Sequence, residues 1–411
     1  MKYQLICKKC GKIIGDFADW FAHDQQCACG STHAEVVYAD EVYAQMGRTD
    51  WQNLPKTENY QADYFDFLPL ERREDIVSLG EGCVPIERWE HLEEAARQQG
   101  VDCQVYVVRN DLNAGSGTFK DISAALAASA MKEHGVKAYC LASTGNAASA
   151  YATYLKEAGV ECHVFSPYDM YPATIDFIRR TGQPLHLSEG NYGQAKTEAA
   201  DFHKSAGVMI SAGNIDPLRI ESKRCLAFEC LRELGQMPTV YLQAVAGGTG
   251  PIALDKGVRD LQKAGVDVQL PRLILCQQDE CDPMVRAWEK AVENGFPEGY
   301  EHDYEPRKDV RTRISILTAA NPGMYPLLAP MVKRTNGTFV RVKEAELPQF
   351  GREMLQERGI LMGPAAMVCY AGFYEALKQG QIKSGDRVLL NTGSSVGRAT
   401  WFSDEVNRLG A

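Results

Sequence analysis

Residues 105–146 read VYVVRNDLNAGSGTFKDISAALAASAMKEHGVKAYCLASTGN, and the fold follows from this stretch. A β-branched run at 105–108 leads into the small-residue loop Asn113-Ala114-Gly115-Ser116-Gly117-Thr118-Phe119-Lys120, and a helical pattern at 121–134 then stops at Gly135. The cycle repeats at once, with an apolar run at 138–142, the loop Ser143-Thr144-Gly145-Asn146 and a helix rich in small residues over 146–158. Such alternation predicts an α/β fold with a parallel sheet covered on both faces. Both loops lie where a strand ends and a helix begins, the edge at which open α/β sheets bind ligands.

The pattern extends outward. Further strands are expected at 161–165, 240–245, 272–276 and 387–390, and further helices at 192–206, 218–234, 251–263, 346–358 and 364–379. Gly159, Gly207, Gly235, Gly265, Gly359 and Gly380 follow helical patterns at the position where left-handed backbone closes a helix. Residues 39–75 are polar and aromatic without a clear period and are read as a connector laid over the main body, and 289–313 is read as a polar excursion. The 411 residues exceed the roughly 250–300 at which a single core stops growing, so more than one domain is expected.

Composition excludes several classes. Hydrophobic residues at 45% and charged residues at 24% are ordinary for a globular protein and disfavour disorder and collagen. No run of about 18 apolar residues is present, so no membrane span is expected. A net charge of −10 argues against nucleic-acid binding, whose footprint is basic, so any anionic ligand must be held locally. The first ten residues lack the apolar core of a signal peptide, and 13 cysteines fit no complete disulfide framework. A cytoplasmic protein with reduced thiols is expected.

Four strand-end loops can carry chemistry. Lys120 stands at a helix start, where the positive end of the macrodipole disfavours a cation and lowers an amine's pKa, as a Schiff-base lysine requires. Ser143, Thr144, Gly145 and Asn146 offer hydroxyls, an amide and free N–H groups to a polar ligand, although the same residues also make good helix caps. Gly247, Gly248, Thr249 and Gly250 let backbone approach a phosphate at the next helix N-terminus. This loop lacks the Lys-Ser/Thr ending of a nucleotide P-loop and the spacing of a dinucleotide fingerprint. The fourth loop, Asn391-Thr392-Gly393-Ser394-Ser395, places a hydroxyl where a ring nitrogen could meet it, or forms a plain turn.

In this order the loops resemble those of threonine synthase and its relatives, including cysteate synthase, among the pyridoxal-phosphate enzymes of fold type II. The likeness includes Ser78-Leu79-Gly80-Glu81-Gly82 and the N-x-x-P-x-R-x-E segment Asn214 to Glu221, and it spans some three quarters of the chain. It implies a tryptophan synthase β-like fold of two doubly wound α/β domains with pyridoxal phosphate between them. Lys120 would carry the cofactor and move the Cα proton, Asn146 would meet the 3′ oxygen, Gly247 to Gly250 the phosphate, and Thr392 the pyridine nitrogen. Ser143, Thr144 and Gly145 would lie at the substrate carboxylate. Of the basic residues Arg179, Arg219, Lys223 and Arg224, Arg219 is taken as the substrate-binding one, and solvation on a helix surface is expected for the others.

The departures bear on substrate. The family's Lys-Asp-Arg reads Lys120-Asp121-Ile122, its Glu-Pro before the last long helix reads Gly363-Pro364, and 166–171 lacks a lysine common in threonine synthases. Gln243-Ala244-Val245 and Leu389-Leu390-Asn391 are more similar to cysteate synthase.

Cys7-Lys8-Lys9-Cys10-Gly11 and Cys27-Ala28-Cys29-Gly30 are two close pairs that can converge on a structural zinc, with His23 as a reserve ligand. The surrounding module has little apolar material for a core. The other cysteines fall mainly in apolar segments and read as core thiols. The eight histidines form no H-E-x-x-H or i,i+4 pair, so no catalytic metal site is expected.

The expected organisation is a zinc-ribbon-like module at 1–40, a small α/β domain at 121–212 and a large cofactor-binding α/β domain from 41–120 and 213–411. The resemblance implies a homodimeric lyase acting on a small amino-acid substrate. Its reaction would be phosphate elimination from O-phosphohomoserine to give threonine, or replacement on O-phosphoserine by sulfite. An ammonia-lyase and a catalytically silent cofactor-binding relative are the alternatives.

Overall fold

In a computed structural model that describes residues 1–410, the chain begins with strands β1 (Tyr3–Cys7) and β2 (Ile13–Gly15), helix α1 (Phe17–Ala22) and strand β3 (Ala34–Tyr38). The strands are antiparallel in the order β2-β1-β3. Tyr3, Leu5 and Cys7 on β1, and Ala34, Val36 and Tyr38 on β3, are buried, the period of a strand with one covered face. This corrects the expectation of a module with little apolar material for a core. Tyr3, Leu5, Val36 and Tyr38, with Phe17 and Trp20, join one hydrophobic cluster with Leu218, Phe228 and Leu254, so the main body completes the module's core.

The connector also holds more structure than its pattern suggested. Helix α2 (Asp40–Arg48) buries only Val42, Tyr43 and Met46, a stripe too short to register as a period. After it come a short helix α3 (Tyr60–Asp63) and single 3₁₀ turns. Trp51 stacks on Phe228 with ring centroids 4.9 Å apart, so this part is laid over the body as expected.

Strand β4 (Ile86–Arg88), helix α4 (Glu90–Gln98) and strand β5 (Gln104–Val108) begin the larger sheet. The chain then leaves it for α5 (Asp121–Glu133), β6 (Ala138–Ala142), α6 (Asn146–Glu157), β7 (Glu161–Pro167), α7 (Pro172–Thr181), β8 (Leu185–Ser188), α8 (Tyr192–Ala206) and β9 (Met209–Ile210). These strands form a parallel sheet in the order β8-β7-β6-β9. The chain returns through α9 (Pro217–Leu234), β10 (Val240–Ala244), α10 (Thr249–Lys263), β11 (Arg272–Gln278), α11 (Pro283–Glu293) and α12 (Tyr325–Arg334). It ends with β12 (Thr338–Val342), α13 (Leu347–Arg358), α14 (Pro364–Lys378), β13 (Arg387–Asn391) and α15 (Thr400–Arg408).

The larger sheet runs β12-β11-β10-β13-β5-β4, parallel except at β4. Its central strands β10, β11 and β13 are buried almost continuously, as strands covered on both faces must be. Helix α5 is buried nearly all round and packs on both α6 and α9. Its N-terminus, and with it Lys120, therefore stands between the two sheets. No helix is long and apolar enough to cross a membrane among the described residues.

Candidate active site

Lys120 is the N-cap of α5, and its N–H is held by the Thr118 hydroxyl at 3.1 Å. The lysine loop is stitched to the loop after β13: Phe119 N–H donates to Gly393 O at 3.0 Å and Ser395 N–H to Gly117 O at 2.9 Å. Asn113 of the same loop accepts Gly82 N–H at 2.8 Å, which joins the Ser78–Gly82 segment to it. The Asp121 carboxylate accepts Ser116 N–H at 2.7 Å and Thr118 N–H at 3.3 Å, and so closes the loop on the helix start. Burial raises that carboxyl to about 6 against these hydrogen bonds. Burial also lowers the Lys120 amine to about 8, and the nearby Arg219 guanidinium lowers it further. A larger fraction of the amine is thus uncharged and nucleophilic near neutral pH than in a free lysine.

The second loop opens α6. Ser143 Oγ accepts Gly145 N–H at 3.2 Å and Ala148 N–H at 3.1 Å, so its oxygen caps the helix while its own proton stays available to a ligand. Thr144 and Asn146 are half-buried.

The glycine loop precedes α10, with Gly248 as N-cap at φ +68°. A Cβ at Gly247 would collide with the Asn214 amide, and one at Gly250 with Gln243 Oε1. The Thr249 hydroxyl donates to Asn214 O at 3.1 Å. That leaves the first backbone N–H groups of a 15-residue helix without intrahelical acceptors, in a cradle too tight for side chains. The expected cofactor phosphate fits such a cradle.

Thr392 is 1% exposed, and its hydroxyl donates to Val108 O at 2.5 Å. Asn110 Nδ2 donates to Asn391 Oδ1 at 2.7 Å and to Thr392 O at 2.9 Å. Asn391 Nδ2 in turn donates to the Tyr241 hydroxyl at 2.6 Å, which donates to Gln243 Oε1 at 2.8 Å. One chain of hydrogen bonds therefore runs from the Thr392 loop across the strand ends to the residue that backs Gly250.

Arg219, in the first turn of α9, is 7% exposed. Its Nε donates to the Tyr151 hydroxyl on α6 at 3.0 Å and its Nη2 to Ser211 Oγ after β9 at 3.0 Å. The solvation expected for Lys223 and Arg224 is overturned, because α9 lies inside the body and both are buried. Arg224 is paired with Glu221 at 2.6 Å and Asp260 at 3.1 Å, a structural role. Arg179 is exposed, as expected.

The ribbon cysteines converge on one another. Cys7 and Cys29 sulfurs are 3.6 Å apart and those of Cys10 and Cys27 3.7 Å, with all four within 4.8 Å. A tetrahedral zinc with bonds of about 2.3 Å holds sulfurs about 3.8 Å apart, so the set fits a structural zinc. Among the other nine, Cys83 is half-buried and the rest are buried, inert positions for a thiol.

The sequence did not single out Tyr151, Ser211, Asn110 or Tyr241, which position the site through contacts far along the chain. Asn110, just after β5, and Asn391, at the end of β13, are polar residues at C-terminal strand ends, the signal that could have found Asn110, whereas Tyr241 lies within β10 and joins them only through its hydroxyl.

A family model described as pyridoxal-phosphate dependent enzyme matches residues 77–393. The chain is 26% identical over 388 residues to a threonine synthase of Methanocaldococcus jannaschii, covering 94% of this chain and 90% of the relative. It is 26% identical over 289 residues to a cysteate synthase of Methanospirillum hungatei, covering 69% and 68%. Diaminopropionate ammonia lyase from Escherichia coli shares the fold with a TM-score of 0.62 at 14% identity, over 89% of this chain and 91% of that one.

Proposed function

Because the chain belongs to the family of pyridoxal-phosphate-dependent enzymes and is homologous to threonine and cysteate synthases, we propose that it eliminates phosphate from a phosphorylated hydroxy-amino acid and adds a nucleophile. The favoured reaction is threonine synthase-like, converting O-phosphohomoserine to threonine plus phosphate. The observation that carries it is Arg219, a buried guanidinium beside Lys120 whose hydrogen-bond partners, Tyr151 and Ser211, are neutral. A buried cation calls for an anion, and the glycine loop already answers for the cofactor's phosphate.

When bound, pyridoxal phosphate supplies the electron sink for carbanion chemistry. Lys120 would hold it, Gly247, Gly248, Thr249 and Gly250 would cradle its phosphate, Asn146 would meet its 3′ oxygen and Thr392 its ring nitrogen. Ser143, Thr144 and Gly145 orient the substrate carboxylate, toward which the free Ser143 proton is available. In this reaction Lys120 would take one proton from Cα and one from Cβ, and phosphate would leave Cγ with the bonding electrons against Arg219. Protons would be returned to Cγ and Cα, and water would add its hydroxyl at Cβ while its proton leaves with the phosphate.

Incubating the purified holoenzyme with O-phosphohomoserine or O-phosphoserine, with and without sulfite, and measuring phosphate and amino-acid product tests this. Threonine and phosphate from O-phosphohomoserine are expected, and no phosphate from either compound would sink the proposal. A cysteate synthase-like replacement is supported by the Gln243-Ala244-Val245 approach to the glycine loop, and would appear as sulfite-dependent cysteate. Keto acid and ammonia without phosphate would instead mark an ammonia-lyase. The proposal includes a cytoplasmic homodimer. Thirteen cysteines with no disulfide among the described residues fit a reducing compartment, and light scattering tests the dimer.

A further inference from the structure

Lys223 is a buried lysine that the proposed reaction leaves without a task. It lies four residues after Arg219 on α9, so the two share one face of the helix. It is 3% exposed, and its Nζ hydrogen-bonds Ser123 Oγ, on the first turn of α5 three residues after Lys120. Both amines lie by the ring of Phe119, 5.1 Å from its centroid for Lys223 Nζ and 5.6 Å for Lys120 Nζ. Three cationic side chains thus meet at the junction of the two sheets, and among the described residues none of them forms a salt bridge, while their bonded partners are hydroxyls.

We infer that Lys223 is, with Arg219, the second cation of a seat for the anionic side group of the substrate, and that the pair selects a doubly charged leaving group over a neutral hydroxyl. This rests on the reaction proposed above and assigns it a specificity residue. Buried charges are paired or neutralised, and a guanidinium cannot shed its proton whereas an amine can. The groups facing Lys223 favour that escape. Burial lowers its amine well below the usual lysine range, Lys120 at the start of α5 and Arg219 lower it further, and Asp216 at the start of α9 opposes them. Farther along α9, Glu229 is taken by Arg232 and by the Tyr64 hydroxyl.

The surroundings limit where an anion can sit. Lys223 borders a cavity of about 30 Å³ with Phe119, Asn110 and Asn391. That is room for one water and not for a tetrahedral oxyanion. Lys120 is half-buried and Asn214 exposed, so solvent reaches the cleft at these residues. Burial and the two neighbouring basic groups thus favour the uncharged amine when no anion is bound, and a dianion seated beside Arg219 favours the charged one.

Inorganic sulfate is the probe, since it carries two charges and does not itself titrate near neutrality. Calorimetric titration of the holoenzyme at pH 7.5, in buffers of different ionisation heat, reads affinity and protons together. Sulfate binding with uptake of about one proton per site is expected. Lys223→Met should bind sulfate about tenfold more weakly with no uptake, and Lys223→Arg, charged beforehand, should retain affinity and also take up none. Unchanged affinity and uptake in Lys223→Met, or wild-type binding without uptake, would overturn the inference. If Lys223→Met does not fold, the wild-type affinity must still weaken as pH rises from 7 to 9, and a flat profile overturns it. The readout is independent of turnover. Enzyme that releases phosphate from its substrate but binds sulfate without proton uptake loses only the role of Lys223, whereas proton-linked sulfate binding without phosphate release loses only the reaction.

Discussion

The guanidinium of Arg219 lies over the ring of Tyr151, 4.9 Å from its centroid, and donates to its hydroxyl at 3.0 Å. The contact joins α9 of the larger unit to α6 beside the smaller sheet, and it fixes a permanent positive charge near Lys120. Burial and this charge together hold the Lys120 amine at about 8. Attachment of pyridoxal phosphate to the cofactor-free protein needs the uncharged amine, so its rate should rise with pH through about 8 and then level off. In Arg219→Met the second cause is gone and the inflection should move upward, which visible absorbance at a series of pH values measures. An inflection that stays in place would remove Arg219 from the electrostatics of the site. The lowered amine also means that the unfolded cofactor-free chain binds more protons between about 8 and the ordinary 10.5, so stability should increase with pH across that window.

Thr392 donates its one hydroxyl proton to Val108 O, while an unprotonated ring nitrogen would need the same proton. In the proposed site, cofactor binding would therefore require the hydroxyl to rotate. Thr392→Ser keeps this option and should retain the cofactor. Thr392→Val leaves the buried Val108 carbonyl without this donor and should lower stability by about 1–3 kcal/mol in the cofactor-free protein, read by urea denaturation. It should also weaken cofactor binding, measured by equilibrium dialysis. Equal stability of the two variants would mean that the hydrogen bond to Val108 contributes nothing.

The β/α units were legible because each strand-end loop combines glycine and small polar residues between two periodic segments, as at Lys120 and Ser143. Helix α9 shows where such reading fails. Its charges at Arg219, Glu221, Lys223 and Arg224 look like a solvated face, yet each of these residues is buried. Pairing explains two of them, since Arg224 is held by Glu221 and Asp260, the latter on α10. The others, Arg219 and Lys223, are bonded to the hydroxyls of Tyr151, Ser211 and Ser123. Tyr151 and Arg219 are 68 residues apart, and no local pattern encodes a contact at that range. The ribbon's core was invisible for the same reason, because its other half is Leu218, Phe228 and Leu254.

That shared core sets what zinc does here. The protein should bind one zinc per chain through Cys7, Cys10, Cys27 and Cys29, and Cys10→Ser should lose it, by metal analysis of the purified protein. Because Tyr3, Leu5 and Trp20 remain seated in the body, loss of metal should loosen the ribbon without unfolding the chain. Amide exchange over 24–33 should quicken about tenfold or more, while the central strands of the larger sheet stay protected. The effect should extend to β9, since Gln25 Nε2 donates to Ile210 O at 2.7 Å and His203 lies 3.1 Å from the Asp24 carboxylate. Global unfolding on chelation would show that the metal, not the shared core, holds the ribbon.

Gly250 offers the sharpest test of the phosphate cradle. A methyl group there would collide with Gln243 Oε1, and that oxygen cannot retreat freely because it accepts the Tyr241 hydroxyl, itself bound by Asn391. Gly250→Ala should therefore push on the whole strand-end network and cost about 1–3 kcal/mol of stability, as overpacking does. Gln243→Ala in the same chain removes the obstacle and should restore much of that loss, although it leaves Tyr241 without its acceptor. Cofactor affinity should follow the same order, falling in Gly250→Ala and recovering in part in the double variant. If Gly250→Ala binds pyridoxal phosphate as tightly as the natural chain, the phosphate does not lie against this turn of α10, and the assignment of Gly247 to Gly250 fails with it.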